Sequence, residues 1–70
     1  MTEFIFTGSS NLACARYDDA TLTLEIEFRN GTVYQYFDVP QSVFDGLTTA
    51  SSAGSYLNAQ IKGNYRYARI

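Results

Sequence analysis

Tyrosine, arginine and lysine carry whatever chemistry this 70-residue chain performs: it has six Tyr, five Lys and Arg together, one Cys and no His. Without histidine, general acid–base work would rest on tuned carboxylates or a lysine held in a pocket, and no such constellation stands in the sequence. Asp18-Asp19 reads as a turn and not as an acid/base pair. Cys14 has no histidine to activate it and falls in an expected strand, so it reads as a buried, inert thiol. One cysteine and no histidine supply no zinc or Cys-His site, and no cofactor is implied. The chain reads as a non-enzyme.

What remains is recognition chemistry, in three places. Tyr34 and Tyr36 alternate on a strand and emerge on one side of it. They form either an aromatic platform, on which bases stack at roughly 1–3 kcal/mol each, or a greasy surface that another element covers. Ser51, Ser52 and Gly54 open an expected helix, where free backbone N–H groups attract anions. Asn58 and Lys62, four residues apart, would share a helical face there and add an amide and a cation. The plainer alternative is a capping serine, a tight-packing glycine and a solvated lysine. The spacing is not that of a phosphate-binding Walker loop, so nucleotide hydrolysis has no support. Arg66 and Arg69 interleave with Tyr65 and Tyr67, a pattern that suits nucleic acid and protein interfaces alike, or ordinary cation–π packing on an exposed strand. The candidate ligand residues are therefore Ser52, Gly54, Asn58, Lys62, Tyr65, Arg66 and Arg69, with Tyr34 and Tyr36 as the candidate platform.

The net charge of −2 argues against indiscriminate nucleic-acid binding, which needs Lys and Arg to neutralise phosphates. The distribution says more than the sum. All seven acids lie in residues 1–45, against Arg16 and Arg29, whereas residues 46–70 hold Lys62, Arg66 and Arg69 and no acid. A basic C-terminal patch facing an anion is one reading; chance clustering in a small chain is the other.

These side chains must be positioned by a single domain, residues 1–70, of the α+β class: a small antiparallel sheet of three to five strands, two short helices and a closing C-terminal strand. Leu22, Leu24, Ile26 and Phe28 alternate with Thr21, Thr23, Glu25, Glu27 and Arg29, the strongest period of two in the chain. Asn30-Gly31 suits a two-residue hairpin. With that loop Glu27 faces Tyr34 and Glu25 faces Tyr36, which places the tyrosines on the polar face between two carboxylates; a bulge or a three-residue loop reverses the assignment. Asn11–Tyr17 is a strand, Phe4 and Phe6 mark a short N-terminal strand or arm, and Gly8-Ser9-Ser10 a turn between them. Pro40 fits the first turn of a helix capped at Asp38 or Val39 and buried through Val43, Phe44 and Leu47. A second helix runs from Ala53 to Ile61, capped by Ser51 or Ser52 and stopped at Gly63, and Tyr65–Ile70 closes the sheet. There is no apolar run long enough to span a membrane and no signal peptide, so a reduced, cytoplasmic setting is the simplest reading.

Several landmarks occur together in order. Ser9-Ser10-Asn11 precedes Tyr17-Asp18; Phe28-x-x-Gly31-x-x-Tyr34-x-Tyr36 leads to Val39-Pro40; Ala50-x-Ser52-x-Gly54-x-Tyr56-x-Asn58 runs into Ile61-Lys62-x-x-Tyr65. In this the chain resembles the KTSC domain family, over nearly its whole length from Ser9 to Ile70. Domains of that family occur at the C-terminus of some lysyl-tRNA synthetases and as free-standing small proteins of bacteria and their phages. The resemblance implies an RNA- or translation-associated binding module and no established activity. The rival expectation is a protein–protein interaction or inhibitor module, phage-encoded or bacterial, that binds a host protein or a small anionic ligand. A third is a homo-oligomer joined through an exposed strand edge.

Overall fold

The alternation around Leu24 and Ile26 decides how the sheet lies. Both side chains are fully buried, while Glu25 and Glu27 point to the other face. In the computed structural model, which describes residues 1–9 and 11–70, the strands are β1 (Thr2–Ile5), β2 (Leu12–Asp18), β3 (Thr23–Phe28), β4 (Val33–Tyr36) and β5 (Tyr67–Arg69). They form one antiparallel meander in the order β1-β2-β3-β4-β5. Between β4 and β5 lie α1 (Gln41–Thr49) and α2 (Ala53–Tyr56), which continues into a π-helical turn, Leu57–Ile61. The expected α+β architecture, sheet with two short helices and closing strand, is the architecture observed. Ser10, in the expected Gly8–Ser10 turn, lies outside the described residues. Among the described residues no helix is long and apolar enough to cross a membrane.

The β3–β4 hairpin corrects the expected register. Phe28 N–H donates to Thr32 O at 2.8 Å and Gly31 N–H to Phe28 O at 3.0 Å, so the loop contains Arg29, Asn30 and Gly31. Only Gly31 takes a positive φ, +91°, and the Asn30 carboxamide oxygen accepts from Thr32 N–H at 3.0 Å. The loop therefore has three residues, with glycine supplying the left-handed position, and not the two left-handed residues of the shorter turn. The one-residue shift sets Tyr34 opposite Ile26 and Tyr36 opposite Leu24. Directly paired side chains point the same way. The tyrosines are thus on the core face, and Glu25 and Glu27 are on the far side of the sheet.

A second irregularity lies in β2. The register shifts between Leu12 and Cys14, so Leu12, Ala15 and Tyr17 all face the core although their spacing is not a strict period of two. Leu22, expected in the long strand, sits instead in the preceding turn with φ +56° and is 41% exposed. Its carbonyl accepts from Val39 N–H at 2.9 Å. That bond ties Val39 to the sheet and moves the helix cap: Pro40, extended at φ −70°, ψ 152°, is the N-cap, in place of Asp38 or Val39. Asp38 turns the chain at φ +58°.

The core forms where the helices cross the sheet. Phe44 and Leu47 of α1, then Leu57 and Ile61, pack on Leu12, Tyr17, Leu24, Ile26 and Val39. Each fully buried Leu, Ile or Val contributes about 1.5–3 kcal/mol relative to exposure. The Tyr17 ring stacks on Phe44, centroids 5.3 Å apart, and its hydroxyl donates to Val39 O at 2.6 Å. Ser52 is the N-cap of α2, as expected, its hydroxyl accepting from Ser55 N–H at 3.3 Å. The helix then widens: Lys62 N–H bonds to Leu57 O at 2.9 Å, five residues back, and both Leu57 and Ile61 are buried in the core. Gly63 at φ +82° ends it, and the chain returns as β5.

Candidate functional site

The corrected register gathers an aromatic pocket at the β4–β5 end of the core face. β5 pairs Tyr67 with Tyr36 and Arg69 with Tyr34. The three tyrosine rings form a triangle, with centroids 6.5 Å apart for Tyr34–Tyr36, 5.8 Å for Tyr34–Tyr67 and 5.9 Å for Tyr36–Tyr67. Phe28 meets Tyr34 edge to face at 5.8 Å. Lys62 and Gly63, delivered by the π-turn, complete the wall of a cavity of about 410 Å³. The Lys62 Nζ is 6.0 Å from the centre of the Phe28 ring.

The tyrosines differ in role. Tyr67 is 62% exposed and forms the outer wall, whereas Tyr36 is only 3% exposed and forms the floor. Burial, then the neighbouring Tyr34 and Tyr67, pushes the Tyr36 phenol above its ordinary pKa, so it is a neutral hydrogen-bonding group at any physiological pH. Its hydroxyl has no protein partner among the described residues, yet it is not sealed from solvent: it opens onto the cavity.

The other candidate residues are dispersed. Arg66 turns away from the cavity, reaching Asp38 at 3.1 Å and lying 5.8 Å from the Phe37 ring, with both charged groups mostly exposed. Tyr65 is half-buried and packs on the core. Ser52 and Gly54 line a different cleft of about 360 Å³, between the Phe4–Ser9 segment and the α1–α2 connection. There the Ser52 hydroxyl is already engaged, bonding Ser55 N and, at 3.1 Å, Ser55 Oγ. Asn58 is exposed and lines neither cavity. Of the expected set the structure brings together Tyr34, Tyr36 and Lys62, with Arg69 adjacent. Tyr67 is the member that sequence reasoning left out. It stood in the interleaved Tyr/Arg pattern, but only the pairing of β4 with β5 shows that it meets the other two.

The opposite face of the sheet is acidic, and among the described residues no helix lies over it. Arg16 lies among Glu25 at 2.6 Å, Glu27 at 3.1 Å and Glu3 at 3.3 Å, and Gln35 Nε2 donates to Glu25 at 3.0 Å. Burial opposes the charge on Glu25, but the hydrogen bonds from Arg16 and Gln35 hold its carboxyl below the usual range. Cys14 sits beside this group, buried, and desolvation pushes its thiol up, so it is a thiol and not a nucleophilic thiolate. Among the described residues Lys62 and Arg69 form no ion pair, and they lie on the side of the sheet opposite the carboxylates gathered by Arg16.

The KTSC domain family model matches residues 8–65. A lysine–tRNA ligase of Trichormus variabilis is 44% identical over 55 residues, 79% of this chain and 10% of that protein. The chain spans about a tenth of the length of the ligases it resembles. An uncharacterized protein of Stutzerimonas stutzeri is 41% identical over 63 residues, 89% of each chain. The crystal structure of a KTSC domain protein from Yersinia pestis matches with a TM-score of 0.90 at 31% identity, covering 99% of this chain and 96% of that one.

Proposed function

The chain belongs to the KTSC domain family, and on that premise we propose that it is a non-catalytic module that binds single-stranded RNA on its tyrosine–lysine side. One observation carries the reading: Tyr34, Tyr36 and Tyr67 surround a cavity with Lys62 at its wall, on the face turned away from Glu25 and Glu27. Aromatic faces beside a cation are the working parts of sequence-tolerant single-strand binding. The carboxylates that would repel phosphate stand behind the sheet. The naming of several relatives as lysine–tRNA ligases supports an RNA-associated, cytoplasmic role.

The test is fluorescence anisotropy of a labelled single-stranded RNA titrated with the protein at rising salt. With Lys62 and Arg69 as the phosphate contacts, log affinity should fall with log salt at a slope of about −1.4, from roughly −0.7 per neutralised phosphate. No binding at low salt overturns the reading.

A further inference from the structure

We propose that the tyrosine pocket holds one unpaired nucleotide, its base against the Tyr34 and Tyr67 rings, its edge hydrogen-bonded to the Tyr36 hydroxyl and its phosphate between Lys62 and Arg69. This rests on the RNA reading above and names the occupant of the same site. The pocket offers an occupant one polar group at its floor, the Tyr36 hydroxyl. The Tyr36 side chain is almost wholly buried, and among the described residues its hydroxyl bonds no protein group and opens onto the cavity. Hydrated when the cavity is empty, it is free to bond the polar, in-plane edge of a ligand.

The shape and the charge narrow the class. The cavity of about 410 Å³ falls within the 300–1,000 Å³ typical of small-ligand sites. Three tyrosines around a hollow also resemble a cage for a quaternary ammonium group. Here the charges decide against it: Lys62 lines the cavity, Arg69 is the neighbouring strand partner of Tyr34, and among the described residues no Asp or Glu lines the cavity. A cation would meet the Lys62 ammonium at the wall. A planar group bearing an anion meets rings for its faces, a hydroxyl for its edge and ammonium and guanidinium groups for its charge.

The experiment is an amide NMR titration of the full chain with four probes used separately: adenosine 5′-monophosphate, adenosine, inorganic phosphate and tetramethylammonium. The monophosphate should bind most tightly and shift the amides of residues 34–36 and 62–69. Tyr67→Ala should weaken it roughly 5- to 100-fold, the value of one base–aromatic stack. Tyr36→Phe, which keeps the ring, should weaken it about 2- to 10-fold, the value of one neutral hydrogen bond. Tyr67 is exposed and Tyr36→Phe preserves packing, so both variants should retain the native amide spectrum. Tighter binding of tetramethylammonium, shifts confined to the Thr48–Gly54 cleft, or unchanged affinity in either variant overturns the proposal. The RNA titration separates the two levels. If RNA binds the wild type and both variants equally, the pocket assignment falls and the RNA reading stands. If RNA does not bind but the monophosphate behaves as described, the RNA reading falls and the pocket assignment stands.

Discussion

Gly46 lies directly beneath the ring of Tyr56: a methyl group on Gly46 would occupy the space of the tyrosine's hydroxyl and its adjoining ring carbon. The contact locks α1 against α2, and it exists because position 46 has no side chain. Gly46→Ala should therefore lower stability by about 1 kcal/mol, overpacking of 1–3 kcal/mol set against the ~1 kcal/mol that alanine gains in a helix. In a Tyr56→Ala background the clash is gone and the same substitution should stabilise instead. Urea denaturation of the four proteins in this cycle checks the reversal of sign.

Removing the buried hydroxyl of Tyr17 should expose its bond to Val39. Tyr17→Phe leaves a buried carbonyl without its 2.6 Å donor, at a cost of about 1–3 kcal/mol. The same group sets an alkaline limit. Burial foremost, with Asp19, Asp45 and Asp18 nearby, raises the Tyr17 pKa, so above about pH 10 the unfolded chain releases a proton that the folded one retains. The Tyr17 contribution should be level below that pH and fall above it. Tyr17→Phe should flatten part of the alkaline decline in a pH series of thermal melts, with Tyr36 and the raised Cys14 thiol contributing to the rest.

Arg16 holds three carboxylates on the outer face, and its loss should be felt through pH. Arg16→Gln leaves Glu3, Glu25 and Glu27 close together without their shared cation. The Glu25 pKa is depressed, so its contribution is present above the unfolded value near 4.3 and is lost as pH falls through the folded value. The variant should thus lose about 1–3 kcal/mol at pH 7 and much less at pH 3. Chemical denaturation at the two pH values measures the difference. An equal loss at both would mean that Arg16 acts by packing alone.

The three-residue loop makes Gly31 the pivot of the hairpin. At φ +91° an L side chain is strained, so Gly31→Ala should cost about 1 kcal/mol or more although nothing occupies the space around it. Alanine also narrows the unfolded ensemble, which offsets part of that strain, and the midpoint of urea unfolding reads the net loss.

The pattern of strands and helices was legible because its signals are local. Leu24, Ile26, Glu25 and Glu27 mark two faces by alternation, Ser52 marks a cap, and Gly63 marks a stop. The hairpin register was not, since Asn30-Gly31 serves a two-residue and a three-residue loop equally and Arg29 carries no sign of belonging to the turn. Leu22 kept the apolar period while leaving the strand, because a bond to Val39, distant in sequence, holds its backbone. The π-turn was hidden because Leu57 and Ile61 are four apart, a spacing that an ordinary α-helix buries equally well. The site followed the register. Placing Glu25 and Glu27 beside the tyrosines discouraged an anion there, and a single residue of slip removed the objection.

That arrangement polarises the sheet around the pocket, from one face to the other, despite the small net charge. Arg16 and its carboxylates form the negative pole, and Lys62 and Arg69 the positive one. In the field of a polyanion such a body feels a torque before it makes contact, and it turns its tyrosine side forward. For the proposed RNA partner, the acidic outer face would disfavour approach from that side and so align the encounter.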